Sequence, residues 1–299
     1  MKKKEKNKKK INIANLLLIS VFFVGLCVVL YPTISDFFNE FHASRAIINY
    51  EEAVSEMSDE EYNQILTEAE EYNDTLEGGD FVNGDVEDST YESLLNIGGD
   101  GIMGYIEIQK LGVDLPIYHG TSESILQNSV GHLEGSSLPI GGKGTHAVLT
   151  GHRGLPTAKL FTDLDQLQEG DTFQIFILNE VLTYEIDKIS IVEPEDVSEL
   201  MPVKGKDYVT LVTCTPYAVN THRLLVRGVR IATPYSSERV AADAIMIDPI
   251  LVAPIVAVPL LLILLITLLV STRSKKRKQK NIVQEKGVGE EPCSKEEEK

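Results

Sequence analysis

Two stretches of the chain, Ile11 to Tyr31 and Ile250 to Val270, run for 21 residues each without a charge. As helices, both are long enough to cross a hydrocarbon core of about 30 Å. Both predict membrane spans. The first has a competing reading as a cleaved signal peptide, but its apolar run exceeds the usual length of about 7 to 15 residues and no A-x-A site follows. The second competes with a buried core helix. Its unbroken apolar run and the basic flank Arg273, Lys275, Lys276, Arg277, Lys278 and Lys280 favour a span. Pro254 and Pro259 fall in its first half, where a kink is tolerated.

Between the two stretches the hydrophobic period changes once. From Asp36 to about Leu76 apolar residues recur at helical spacing, first Ala46, Ile47, Tyr50, Val54 and Met57, then Tyr62, Ile65, Leu66, Ala69 and Tyr72. This predicts two helices divided at Ser58, which forms a capping box with Glu61. A Gly- and Asp-rich loop follows from Glu77 to Thr90, then a helical turn at Tyr91 to Asn96. Beyond Met103 the runs shorten to strand length: Tyr105–Ile108, Val113–Ile117, Ala147–Thr150, Thr172–Leu178, Val181–Ile186, Ile189–Val192, Tyr208–Thr213 and Arg223–Ile231. Turn residues separate them, as expected of a mainly β barrel or sandwich. Asn179-Glu180 suggests a tight hairpin, and short helices are expected at Ser124–Leu133 and Ala158–Leu167.

Charge orients this arrangement. The 299 residues carry a net charge of -17, which argues against a nucleic-acid partner. The charge is segregated: residues 1–10 hold +6, residues 32–248 hold -26 and residues 271–299 hold +3. Basic flanks stay cytoplasmic, so both termini are expected in the cytoplasm and the acidic middle outside the cell membrane. The predicted organisation is a basic N-terminus (1–10), a span (11–31), an acidic helical and lid-like segment (32–102), a β domain (103–235), a linker (236–249), a second span (250–270) and a cytoplasmic tail (271–299).

This topology isolates one thiol. Cys27 lies in the first span and Cys293 in the tail, leaving Cys214 unpaired outside the membrane. Side chains alternate along Tyr208–Cys214, so Cys214 shares a face with Val212 and Thr210 as the strand ends, and Pro216 then stops the ladder. The next strand opens with Arg223. If the two strands are neighbours, the guanidinium returns beside the sulfur, where it suits a thiolate or a developing oxyanion. A cysteine nucleophile also needs a proton acceptor, for which His42, His119, His132, His146, His152 and His222 are available. His152 sits at a strand end in the turn Gly151-His152-Arg153-Gly154, though chain position leaves His146 and His222 open.

The run Thr210-Leu211-Val212-Thr213-Cys214 with Arg223 resembles the TLxTC…R signature of sortases, the membrane-anchored cysteine transpeptidases of Gram-positive bacteria. Further stretches resemble the class C, pilin-polymerising branch: Gly104–Ile108, Leu115–Gly120, Val130–Gly135, Leu149–Pro156, Lys159–Leu164, Cys214–Tyr217 and Thr221–Gly228. The resemblance covers about Met103 to Ile231. It implies a closed eight-stranded β-barrel in which His152, Cys214 and Arg223 match the family's catalytic residues. It also implies two membrane anchors and, as partners, surface proteins with LPxTG-type sorting signals, chiefly pilin subunits; the predicted spans add membrane lipid, the cysteine chemistry requires no cofactor, and no ligand cluster in the sequence suggests a metal. Cleavage between Thr and Gly would be followed by transfer to a pilin lysine. A cell-wall-anchoring sortase using a peptidoglycan-precursor amine is the alternative, and an inactive membrane-tethered binding protein a more distant one. Class C enzymes commonly carry an Asp-Pro-aromatic lid motif. Here the comparable loop reads Gly79–Glu87, with Val86 and Glu87 after Asp85, so the resemblance does not extend to that tripeptide, and only Asp85 is left to approach Arg223.

Overall fold

The computed structural model describes residues 13–76, 91–233, 258–263 and 265–267. The Glu77–Thr90 loop, most of the predicted second span and the C-terminal tail lie outside these. Two compact units emerge, Ile34–Asp243 and Met1–Thr33 with Ala244–Lys299. Helix α1 runs without a break through Ile13–Glu56, with Pro32 inside it, and α2 spans Asp59–Thr75. Ser58 divides them as expected. Its hydroxyl accepts the Glu61 N–H at 3.2 Å, filling a donor that the helix start leaves open.

The first predicted span forms the N-terminal part of α1, which is long and apolar enough to cross a membrane. Of the second, the described part is a ten-residue helix, Val258–Thr267, too short to cross by itself. On α1 the residues Ala43, Ile47, Tyr50 and Val54 recur at intervals of three and four and are buried. Ile47, Tyr50 and Val54 pack on Ile102 and Tyr105. The Tyr50 hydroxyl donates to Met103 O at 2.9 Å and accepts the Leu178 N–H at 2.8 Å, so one side chain ties the helix to two places on the sheet.

The sheet is a closed barrel of eight strands: β1 Ile102–Ile108, β2 Val113–His119, β3 Val130–His132, β4 Thr145–Thr150, β5 Thr172–Ile177, β6 Glu180–Val192, β7 Asp207–Thr215 and β8 His222–Ile231. Their order around the barrel is β1-β2-β3-β4-β7-β8-β6-β5. The β2–β3 and β4–β7 pairs are parallel and the rest antiparallel.

The expected strand count holds through two compensating differences. Val181–Ile186 and Ile189–Val192 are one strand, β6, bent by a register shift between Ile186 and Lys188. Val130–His132, expected as the end of a helix, is instead β3. Only Glu123–Leu126 (α3) is helical there. At Ala158–Leu167 the chain makes turns and a single 3-10 turn at Leu164–Gln166, with Leu160 at φ 41° breaking the helical run and Phe161 and Leu164 buried in the core. The hairpin after β5 turns on Leu178-Asn179, one residue earlier than expected, with Leu178 at φ 51°.

Alternation sorts the strands into inner and outer faces. Ala147, Leu149, Val209, Leu211, Leu224 and Val226 join the main core, which also takes in Ala69, Tyr72 and Leu76 from α2 and its end. Val148, Val212 and Leu225 point the other way and form a separate cluster with Leu200 from the β6–β7 connection. That connection therefore covers part of the barrel's outer wall.

Candidate active site

The outer wall of β4, β7 and β8 holds a cleft of about 370 Å3. Its floor is Val148, Val212 and Leu225, and Val192, Pro194, Val197 and Leu200 rise along one side. His152, Cys214 and Arg223 all line it. The β7–β8 register sets Cys214 directly opposite Arg223, on the same side of the pleat as Val212 and Leu225. The neighbouring-strand condition is thus met. The sulfur is partly exposed and not in a disulfide.

His152 is held by its backbone. Parallel pairing of β4 with β7 ends at Thr150 opposite Val212. One step further the Gly151 N–H donates to Val212 O at 3.0 Å and the Thr213 hydroxyl donates to Gly151 O at 2.7 Å. The Phe161 N–H then reaches His152 O at 3.1 Å. Gly151 is required here: a Cβ would come within 2.7 Å of the Phe161 ring. The imidazole is less bound than its backbone. Nε2 is buried and makes no hydrogen bond among the described residues, with Glu123 Oε2 3.4 Å away outside bonding geometry. Arg223 donates Nη1 to the carbonyls of Asn220 and His222 at 3.4 and 3.2 Å, which fixes the guanidinium at the strand end.

The other histidines have different employment. His132 is fully buried, taking the Tyr91 hydroxyl at Nδ1 (2.7 Å) and facing Ser137 O with Nε2 (2.8 Å). His146 donates Nδ1 to Met201 O at 3.1 Å and accepts the Thr210 hydroxyl at Nε2, 2.7 Å away. Burial pushes both down to about 4, so each is neutral with its ring nitrogens committed. His119 faces Gly101 O and Leu94 O, at 2.9 and 2.6 Å. His222 stands on the opposite side of the pleat, paired with Thr215, its Nε2 3.3 Å from Glu193. His42 is exposed on α1. Of the six, only His152 lines the cleft with Cys214 and Arg223.

Three contributors escaped sequence reasoning. Glu123 approaches His152 from α3. Arg153 is almost buried and binds Asp165 and, at 3.2 Å, the Thr215 hydroxyl, so a second guanidinium near the cleft is already engaged. The cleft wall from Pro194 to Leu200 lies in a connection whose signal was slight: Val197 and Leu200 are isolated apolar residues in an acidic stretch.

A closed mixed barrel with a cysteine and an arginine paired at its rim and a histidine in the same cleft defines a class of protein, and comparison with known proteins agrees. The sortase-domain family profile matches residues 106–231. The crystal structure of sortase C1 from Streptococcus agalactiae is 53% identical, with a TM-score of 0.62 over 64% of this chain and 100% of that one. A sortase C from Streptococcus pneumoniae, whose structure was described in terms of catalysis and pilin substrate specificity, is 42% identical with a TM-score of 0.57 over 63% of this chain and 97% of that one. Sortase D of Bacillus subtilis is 33% identical over 115 residues, 38% of this chain and 55% of that protein. The chain thus matches between about half and three fifths of the first three curated relatives' lengths, the other two being 61% and 52%. This chain belongs to the sortase family, whose members are cysteine transpeptidases, and its barrel is closely similar to those of the class C sortases.

Proposed function

We propose that this sortase is a membrane-anchored transpeptidase that cleaves LPxTG-type sorting signals between Thr and Gly and joins the acyl product to a pilin lysine. The observation that carries this reading is the Cys214–Arg223 pair on one outer face, with His152 in the same cleft. The Cys214 thiolate attacks the Thr carbonyl carbon, and the electron pair moves to the oxygen, where the Arg223 guanidinium meets the charge. Imidazolium His152 gives its proton to the departing glycine amine as the C–N bond breaks, leaving a thioester. Neutral His152 then takes a proton from the incoming lysine amine, which attacks the thioester to form an isopeptide bond and release the thiolate. The apolar floor of Val148, Val212 and Leu225 suits the side chains of a short apolar motif.

Anchoring by two spans, with the barrel outside the cell and both termini in the cytoplasm, belongs to this proposal. It is supported by the apolar part of α1 and the basic flanks at both ends of the chain. Incubation of the full chain in proteoliposomes with a sorting-signal peptide should leave an acyl adduct on Cys214, read by mass spectrometry, and Cys214→Ala should leave none. Absence of the adduct from the native chain would favour a tethered binding protein. Adding a pilin domain or a wall-precursor amine separates pilus assembly from wall anchoring by the product formed.

A further inference from the structure

Helix α1 carries two apolar stripes beyond the first predicted span, 11–31. One is the barrel-facing set already described. The other consists of Ile34, Phe37, Phe38, Phe41 and Ile48, between 50% and 64% exposed. At about 100° per residue these five fall in one sector roughly 100° wide, on the side away from Ala43, Ile47 and Val54. Two polar residues of the same turns point to the barrel: Asp36 accepts the Lys159 N–H at 3.0 Å and Asn39 donates to Thr157 O at 2.7 Å. Asp36, the first charge after Lys10, is therefore turned inward, and three phenylalanines are turned out.

The geometry points to the outward face of α1 from Ile34 to Phe41 as a surface that seats the barrel-bearing unit in the headgroup region of the bilayer. The loop around Thr157 lies at the same level along the helix as Asn39. This rests on the reading that the apolar part of α1 anchors the chain. The occupant is lipid rather than another protein because the stripe continues, on the same helix, a stretch that is free of charge from Ile11 to Ser35. Aromatic rings with a cation just beyond them are the composition of an interfacial helix, and exposed Arg45 stands one turn past Phe41 on the same side. Charge does not favour the contact, since residues 32–248 carry -26 and anionic lipid repels them. The seat must then be apolar, as it is. One consequence is that Thr157, five residues after His152, brings the cleft's histidine-bearing loop close to the bilayer.

The chain contains no tryptophan, so single substitutions give an unambiguous emission signal. The full chain is reconstituted in phosphatidylcholine–phosphatidylglycerol vesicles as Phe38→Trp, Phe41→Trp, Thr157→Trp, Lys143→Trp or Val24→Trp. Lys143 precedes β4, at the barrel end away from His152. Lipid brominated near the carbonyls should dim Phe38→Trp and Phe41→Trp at least about twofold, as expected for rings buried roughly 5–10 Å into the boundary. Thr157→Trp should be dimmed partially and Lys143→Trp left unchanged. Mid-chain bromines should quench Val24→Trp. If Val24→Trp is quenched while Phe38→Trp and Phe41→Trp behave like Lys143→Trp, the anchor stands and this surface is refuted. Shielding of the two from aqueous acrylamide without lipid quenching would mean that a second copy or another protein covers the stripe, which also refutes it. An unquenched Val24→Trp would overturn the anchoring reading itself, and this inference with it.

Discussion

His146 and His152 stand at the two ends of β4 and face opposite fates. His146 has both ring nitrogens bonded, one to Met201 O and one to the Thr210 hydroxyl, and burial holds it neutral. His152 has a backbone clamped by Gly151, Thr213 and Phe161, but its Nε2 makes no hydrogen bond among the described residues. The first ring is fastened by its side chain and serves the fold, pinning the β6–β7 connection that walls the cleft. The second is fastened by its main chain and has a ring nitrogen, Nε2, that the fold leaves without a hydrogen bond among the described residues. A histidine whose ring bonds are all satisfied has little left to offer a substrate.

The sharpest way to break this comparison is His152→Ala, which should slow Cys214 acylation roughly 100- to 10,000-fold, the usual contribution of a general acid–base group, with little change in melting temperature. Near-native acylation would move the proton-transfer role elsewhere. Next comes Arg223→Ala, expected to cost about 2.7 to 4 kcal/mol of barrier, or roughly 100- to 1000-fold in single-turnover rate. Arg223→Lys should recover part of this, since it keeps the charge but loses the fork.

The buried pair predicts a pH effect on stability rather than on rate. His132 and His146 are depressed to about 4 from an ordinary 6.5. Above pH 6.5 both are neutral whether folded or not, and their contribution is fully present. As pH falls from 6.5 toward 4 the unfolded chain takes up protons that the native state refuses, so stability drops by about 2 kcal/mol per histidine at pH 5. Denaturant titrations at pH 7 and pH 5 would read this, and equal midpoints would contradict it. The smallest effect is His146→Ala, which strands Met201 O and the Thr210 hydroxyl and should destabilise by about 1–3 kcal/mol while the folded fraction acylates at the native rate.

The site was more legible than the fold around it. Alternation in β7 placed Cys214 with Val212 and Thr210, and the opening of β8 placed Arg223, because a strand's period of two leaves little freedom once its ends are known. The histidine was harder, since six were available and only tertiary pairing decides which ring is left unbonded; family resemblance, not spacing, singled out His152. β3 was missed because three residues are too few to show a period, and its identity comes from parallel pairing with Ile117–His119, far from helix α3 in bonding though next to it in sequence. The break expected between Ile186 and Ile189 was a bend, since β8 stays paired with β6 on both sides of it. The cleft wall from Pro194 to Leu200 was invisible because its role depends on what it covers.

The buried Asn73 on α2 sets a limit on how this protein can be trimmed. Its side-chain carbonyl accepts the Leu138 N–H at 2.7 Å and its amide donates to Leu138 O at 3.2 Å, so a helix supplies what a neighbouring strand would otherwise give. A fragment begun at the first strand would keep His152, Cys214 and Arg223 yet leave the Leu138 N–H without its acceptor in an apolar setting, while Leu138 O would keep only the Ile140 N–H at 2.8 Å. The smallest cooperative unit that can be cut free for solution work therefore starts no later than Ser58.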